Sequence, residues 1–276
     1  VEPAGERELL VHTRLAAVQA GACLSTFKLG LGACGIGLRL FEVFARRLSG
    51  GRRYGVLAGT GRVLDAIDNF RFDSDTLSWL QHNRIVSADT LDFLSTYRFS
   101  GDVRGYAEGE LYFPGSPVLE VEGSFAEAVI LETVILSILN YDSAVATAAS
   151  RMVSAASGRP IAEMGSRRAN ENAAVAAARA AHIAGFTSTS NLQAGREWGV
   201  PTMGTAAHAF TLLHDSEEEA FRAQVAAFGP GTTLLVDTFD IREGIETAIR
   251  VAGTGLGAVR IDSGDLPSLI GEVREQ

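Results

Sequence analysis

Apolar and polar positions fall into clear periods from Phe41 onward. FEVFARRL, Phe41 to Leu48, alternates the two classes as a strand does, and after the turn GGRRYG the stretch VLAGTGRVLDAIDNF leads from a turn into an amphipathic helix. Ser74 and Ala88 to Thr90 open two further helical patterns, DTLSWLQHN and DTLDFLSTYRF. The segment YAEGELYFPGSPVLEVEGSF, Tyr106 to Phe125, reads as strand, Pro-Gly turn, strand, with the alternation of a half-exposed antiparallel sheet. Such a sheet forms a small sandwich whose open face needs a partner. The long apolar helix predicted from Glu127 to about Ala156, interrupted by Asn140, Asp142 and Ser143, suits that place and is long enough to cross between two domains.

Beyond Gly158 the period changes repeatedly. PIAEMGSRR, the alanine-rich ENAAVAAARAAHIAGF, TSTSN, LQAGREWG and VPTMG follow one another, then EEEAFRAQVAAFG, TTLLVDTFD, IREGIETAIRVAGTG and AVRIDSGD. Strand and helix alternate, which predicts a parallel α/β arrangement with the spacing of a (β/α) barrel. A closed barrel needs eight strands and about five are visible, so the expectation is an incomplete barrel. The predicted organisation is an unmatched segment 1–40, a sandwich-type domain 41–126, and a linking helix with a partial barrel over 127–276.

Segment 1–40 is the least regular. Leu9 to Ala20 is compatible with a helix, while LGLGACGIGLRL, Leu29 to Leu40, sets four glycines among small apolar residues without a period. No strand pattern precedes these glycines and no GK[ST] closes them, which argues against a phosphate loop.

Composition narrows the function. The 276 residues are 46% hydrophobic and 21% charged, and the net charge of −9 gives no broad electrostatic reason to bind nucleic acid or a membrane surface. An anionic substrate would need a local cationic site. Cys23 and Cys34 are too few for a disulfide framework or a zinc site, so a reducing cytoplasm is expected. The pattern also predicts no run approaching a membrane span, and VEPAGERELL lacks the start of a signal peptide.

The candidate chemistry gathers at predicted strand ends, where α/β folds place their functional side chains. In VPTMGTAAHAF, Thr205 and His208 stand three residues apart, a spacing that would put both on one helical face. Asp237, Asp240, Arg260, Asp262 and Asp265 lie at or near the ends of the two following strands. A neutral imidazole is a competent nucleophile, and the planar fork of Arg260 or Arg167 suits a carboxylate. Structural roles stand beside these: an ion pair of Arg260 with Asp237 or Asp262, a satisfied histidine at position 208, and a helix cap by Asp262 or Ser263 within DSGD. His82 and His182 read as solvated or structural. No metal ligands are assigned from the pattern.

Taken in order, FEVFARRL, GRRYGVLAGTGRVLDAI, TYRFSGDVRGYAEGELYFPGSP, ETVILSILNYDSAVATAASRMV, EMGSRR, STSN, GVPTMGTAAHAF, GPGTTLLVDTFD and VRIDSGDL resemble the bacterial nicotinate phosphoribosyltransferases. The resemblance runs from about Phe41 to Leu266. It implies a type II phosphoribosyltransferase plan, an N-terminal α/β sandwich with an irregular barrel. It also implies a reaction joining nicotinate to phosphoribosyl pyrophosphate, with coupled ATP hydrolysis, magnesium, and a homodimer when complete. By the same resemblance, His208 is the histidine phosphorylated by ATP, and Thr205 and Arg260 contact the substrate. Arg167 and Arg168 match the GxRR arginines near the substrate and its phosphates. Asp262 and Asp265, flanking Ser263 and Gly264, would serve the charge that builds on the sugar and the pyrophosphate-bound metal.

Two departures from the family pattern stand out: no tyrosine precedes Tyr54, and no GxGT segment follows the last strand. The corresponding expectations are that residues 1–40 come from a shifted reading frame or misassembled gene and that the chain ends early. The rival readings are an inactive truncated remnant of such an enzyme and a quinolinate or nicotinamide phosphoribosyltransferase.

Overall fold

The structure, a computed structural model, describes residues 11–13 and 38–276, and these fall into two compact units, the first ending at Thr202 and the second spanning Met203–Gln276. The glycine-rich stretch up to residue 37 and both cysteines lie outside the described residues, as does most of the Leu9–Ala20 helix expected from the sequence. The part of that helix that is described, β1 (Val11–Thr13), is a strand, hydrogen-bonded antiparallel to β2 (Leu38–Ala45) with Val11 opposite Ala45. Pairing with a neighbour overrides a weak local period in so short a segment.

The first unit is built on one antiparallel sheet in the order β1, β2, β6 (Pro117–Ser124), β4 (Asp102–Gly105). Strand alternation sends Phe41, Val43 and Ala45 of β2 and Leu119 and Val121 of β6 into the core. They meet Leu131, Ile135 and Leu139 of α4 (Phe125–Ala156), the apolar partner that the sequence demanded for the open face.

The expected Pro-Gly hairpin does not form. β5 (Leu111–Tyr112) pairs instead with β3 (Gly55–Val56), while β6 joins the larger sheet, so the turn at Pro114–Gly115 carries the chain from one sheet to another. Gly115 takes φ of +82° there and its N–H donates to the Ala45 carbonyl at 2.8 Å. Gly55 is equally constrained, because a Cβ at that position would lie 2.2 Å from the Tyr112 ring.

The polar interruptions of α4 have a specific task. Ser143 Oγ accepts from the Ala58 N–H at 3.2 Å and donates to the Ala58 carbonyl at 3.1 Å, and Thr147 Oγ1 accepts from the Val56 N–H at 2.9 Å. Helix side chains thus act as a second strand neighbour for residues 56–58. By length and composition α4 is apolar enough to cross a membrane, contrary to the sequence expectation; its apolar side nevertheless packs against the sheet.

Immediately before Ser143, Asp142 of α4 is fully buried and pairs with Arg62 at 2.7 Å. Arg62 belongs to α1 (Thr60–Asn69), whose N-cap, Gly59, contributes no side-chain cap. A distant carboxylate supplies it: Glu108 accepts from the Gly59 N–H at 2.6 Å and is gripped by Arg179 through two bonds of 2.7 and 2.6 Å. Burial pushes the Glu108 carboxyl up, but Arg179 and these N–H groups outweigh it and hold it below its ordinary value.

The remaining helices start where their capping residues fall: Asp73 for α2 (Ser74–His82), Ser87 for α3 (Ala88–Ser95) and Asn170 for α5 (Glu171–Ile183). Arg179 of α5 also lies 4.3 Å over the ring of Trp198, which ends α6 (Leu192–Trp198). Beside α5, β7 (Ala162–Glu163) and β8 (Ser188–Thr189) run parallel, and Thr189 bridges in parallel to Thr202.

In the second unit, α7 (His208–Leu212) and α8 (Glu217–Phe228) precede β9 (Thr233–Leu235), α9 (Ile241–Ala252), β10 (Ala258–Arg260) and α10 (Leu266–Glu275). β9 and β10 are parallel, over a core of Phe221, Leu234, Val236, Ile245 and Ala248. The alternation read from the sequence is therefore present as parallel pairs. Among the described residues no closed barrel forms, because the strands pair two by two within separate units rather than as one continuous ladder.

Burial pushes the Asp142 carboxyl above its ordinary value despite the pull of Arg62. Arg62→Met should leave this carboxylate buried without a partner and cost about 3 kcal/mol at pH 7. A raised folded-state value means that the folded protein takes up the proton more readily, so the loss should ease as pH falls toward that value. Urea midpoints at pH 7 and 5 check this, and adding Asp142→Leu should remove the pH dependence.

Candidate functional site

The second unit assembles its polar cluster through strand register. Leu235 is paired with Arg260, so Asp237 and Asp262 each lie two residues beyond a paired strand end. The ladder continues through the Val236 N–H, which donates to the Arg260 carbonyl at 3.1 Å. Asp237 is the centre of the cluster. Its Oδ2 accepts from the Asp262 N–H at 2.8 Å and from the Ser263 hydroxyl at 2.7 Å, and its Oδ1 lies 3.1 Å from His208 Nε2.

The Asp237 side chain is 1% exposed, whereas that of His208 is 38% exposed. Burial alone would raise the Asp237 carboxyl. The Ser263 hydroxyl, the Asp262 N–H and His208 more than reverse this and hold it below its ordinary value of 3.8.

Thr205 and His208 do not share a helical turn as their spacing suggested. His208 is the first residue of the five-residue α7, and Thr205 precedes it in irregular backbone. A different link places Thr205: its hydroxyl accepts from Arg260 Nη1 at 2.5 Å, while Arg260 Nη2 pairs with the Asp262 carboxylate. The ion pair weighed for Arg260 is thus made, with Asp262 rather than Asp237.

The loop VRIDSGD turns on Gly264, with φ of +90°, where a Cβ would lie 2.7 Å from Leu269 Cδ1. The helix after it is not capped by Asp262 or Ser263. Asp265 holds the N-cap position and takes the Ser268 hydroxyl at 2.5 Å. Asp240 caps α9 through the Glu243 N–H at 2.9 Å, which makes it structural.

Arg167 and Arg168 belong to the first unit, exposed in the turn after β7. Their turn is fixed by the Arg168 N–H, which donates to the Gly165 carbonyl at 2.8 Å, and by the Gly165 N–H, which donates to Glu163. The neighbouring Ser166 lines a cavity of about 610 Å³ with Arg62, Asn172, Asn191 and Trp198. Of the sequence-predicted site residues, Thr205, His208, Arg260, Asp262 and Ser263 lie in one connected network, Gly264 and Asp265 follow in the same turn with Asp265 bonded to Ser268, and the arginine pair lies in the other unit.

The first group has a defined chemistry. An ionised Asp237 can only accept, so when the imidazole is neutral this contact requires its proton on Nε2 and leaves the lone pair on Nδ1, an atom without a hydrogen bond among the described residues. That is the state of a nucleophile held by a carboxylate. Asp237 was visible in the sequence as a strand-end acid, but its central place was not. Aligning TLLVD with AVRID, each with its acid two residues past the strand, would have shown it.

Parallel strands that deliver an arginine and carboxylates to a histidine at the start of α7 define an α/β fold with a strand-end polar site. The model of the nicotinate phosphoribosyltransferase N-terminal domain matches residues 39–140. Over 244 residues the chain is 62% identical to nicotinate phosphoribosyltransferase pncB1 of Mycobacterium tuberculosis, covering 86% of this chain and 54% of that protein. It is 38% identical over 243 residues to the nicotinate phosphoribosyltransferase of Bacillus subtilis, covering 86% and 49%. The crystal structure of human nicotinic acid phosphoribosyltransferase superposes with a TM-score of 0.80 at 26% identity, covering 93% of this chain and 62% of that one. Over most of its length the chain is thus similar in sequence to a segment of the nicotinate phosphoribosyltransferases. It spans about half the length of the curated relatives it matches.

Asp237→Asn should turn an amide NH₂ toward His208 and move the imidazole proton from Nε2 to Nδ1, as ¹⁵N NMR of the ring would show. A depressed carboxyl contributes stability above its unfolded value and loses it as pH falls through the folded one. The variant should therefore lose stability at neutral pH and show a flatter fall below about pH 4, measured as denaturant midpoints.

Proposed function

We propose that the complete protein carrying this segment joins nicotinate to phosphoribosyl pyrophosphate, giving nicotinate mononucleotide and pyrophosphate, with ATP hydrolysis coupled through His208. The observation that carries this reading is the His208–Asp237 pair in one network with Arg260, in a chain with this similarity. Asp237 orients the ring, and Nδ1 attacks the terminal phosphoryl group of ATP. The bond to the leaving ADP oxygen breaks as the N–P bond forms, and the phosphoryl group later passes to water.

Arg260 anchors the nicotinate carboxylate, with Thr205 steadying its guanidinium. Arg167 and Arg168 are the cations proposed for the phosphates. Asp262 and Asp265 serve the ribose and the metal side. Among the described residues no three His, Cys, Asp or Glu side chains converge on a metal cage. One or two carboxylates fit Mg²⁺ held largely by phosphates and water, and such an ion would neutralise the departing pyrophosphate.

In the same reading the sandwich-type domain 41–126 is joined by the linking helix to the irregular barrel begun in 127–276, and the protein works as a homodimer in the cytoplasm.

In the complete enzyme, His208→Ala should abolish ATP-linked stimulation while leaving slow ATP-independent transfer. Labelled ATP should leave an acid-labile, base-stable adduct on the unaltered enzyme and none on the variant. Arg260→Ala should chiefly raise KM for nicotinate. Turnover without preference for nicotinate over quinolinate and nicotinamide would contradict the proposal.

A further inference from the structure

We infer that Asp262 is an internal ligand of Arg260, a carboxylate that occupies the guanidinium until the substrate's own carboxylate displaces it. This rests on the proposed role of Arg260 in holding an aromatic acid. Both terminal nitrogens of Arg260 are engaged: Nη1 by the neutral Thr205 hydroxyl, Nη2 by Asp262. Among the described residues Asp262 is its charge partner.

Three features make that partner exchangeable. The Asp262 side chain is 45% exposed against 28% for Arg260, so the carboxylate is open to solvent and the pair is screened. The two residues stand two apart at the end of β10, where the carboxylate can leave by side-chain rotation alone. The main chain need not follow, because the Asp262 N–H is fixed on Asp237 at 2.8 Å. Thr205 holds Nη1 throughout, which keeps the guanidinium in place while its anion changes.

The exchange conserves charge, and this gives it selectivity. An incoming carboxylate replaces one anion on Arg260 with another and releases the Asp262 carboxylate at the same strand end, where it can accept from sugar hydroxyls. A neutral carboxamide cannot make that substitution, since it would leave both guanidinium and carboxylate without an ionic partner. Asp262 thereby discriminates acid from amide, and the acid itself frees the group needed beside the second substrate.

The test is a calorimetric titration of nicotinate into the chain, Asp262→Asn and Asp262→Glu. With the internal competitor neutralised, Asp262→Asn should bind nicotinate on the order of fivefold tighter, the reach of a half-exposed ion pair. Asp262→Glu, which keeps a carboxylate, should bind more weakly than Asp262→Asn. Equal or weaker binding by Asp262→Asn would overturn the exchange and leave Asp262 as a group that orients Arg260. Should that variant fail to fold, the ¹³Cγ resonance of Asp262 in the unaltered chain decides: it should shift on nicotinate addition, and an unmoved signal refutes the displacement. If the unaltered chain and Arg260→Ala bind nicotinate alike, the function proposed for Arg260 fails, which is a separate result.

Discussion

A single buried carboxylate holds the second unit's polar cluster together. Asp237 has two oxygens and three donors around it: an imidazole, a main-chain N–H and a hydroxyl. The bonds draw on two parts of the chain, so the position of His208 and the path of the DSGD turn are fixed by the same group. A charge so placed is tolerable because its acceptor capacity is used; an uncompensated carboxylate at that depth would be strongly disfavoured. The strand beneath explains why it sits there. Leu234, Leu235 and Val236 are all buried, and the next residue is the first that can turn polar while still resting on the parallel ladder.

The periods of the sequence were sufficient for most elements and insufficient for their pairing. α4, α5, α8 and α9 were legible because long amphipathic or apolar runs and capping residues mark them, and β9 and β10 because apolar runs end abruptly in acids. The partnership of β3 with β5 was not legible, since two-residue strands carry no period and their register depends on Gly55 making room for Tyr112. The apparent hairpin at Pro114–Gly115 misled for the same reason: a turn signal reports a local bend and says nothing of which sheet receives the next strand.

The candidate site shows the same division. Thr205, His208, Arg260 and Asp262 were recognisable as residue types at strand ends, and they do fall within one network. The geometry that joins them was not recognisable. Helical spacing supplied a plausible reason for Thr205 to accompany His208, but the actual reason is a hydrogen bond to an arginine fifty-five positions later. Asp240 shows the converse, an acid at a helix start whose short-range bond to the Glu243 N–H occupies it.

The cap of α1 has a consequence for how the first unit tolerates change in length. Glu108 closes the start of a helix that begins some fifty residues earlier, and Arg179 clamps that carboxylate from α5. Everything between the end of α1 and Glu108, α2 and α3 included, is therefore an excursion tethered at both ends. Insertions at the bend between α2 and α3 would lengthen the excursion without moving its tethers. The same insertion beside Glu108 would slide the carboxylate off its helix, so indels in homologous chains should crowd into the first place and avoid the second.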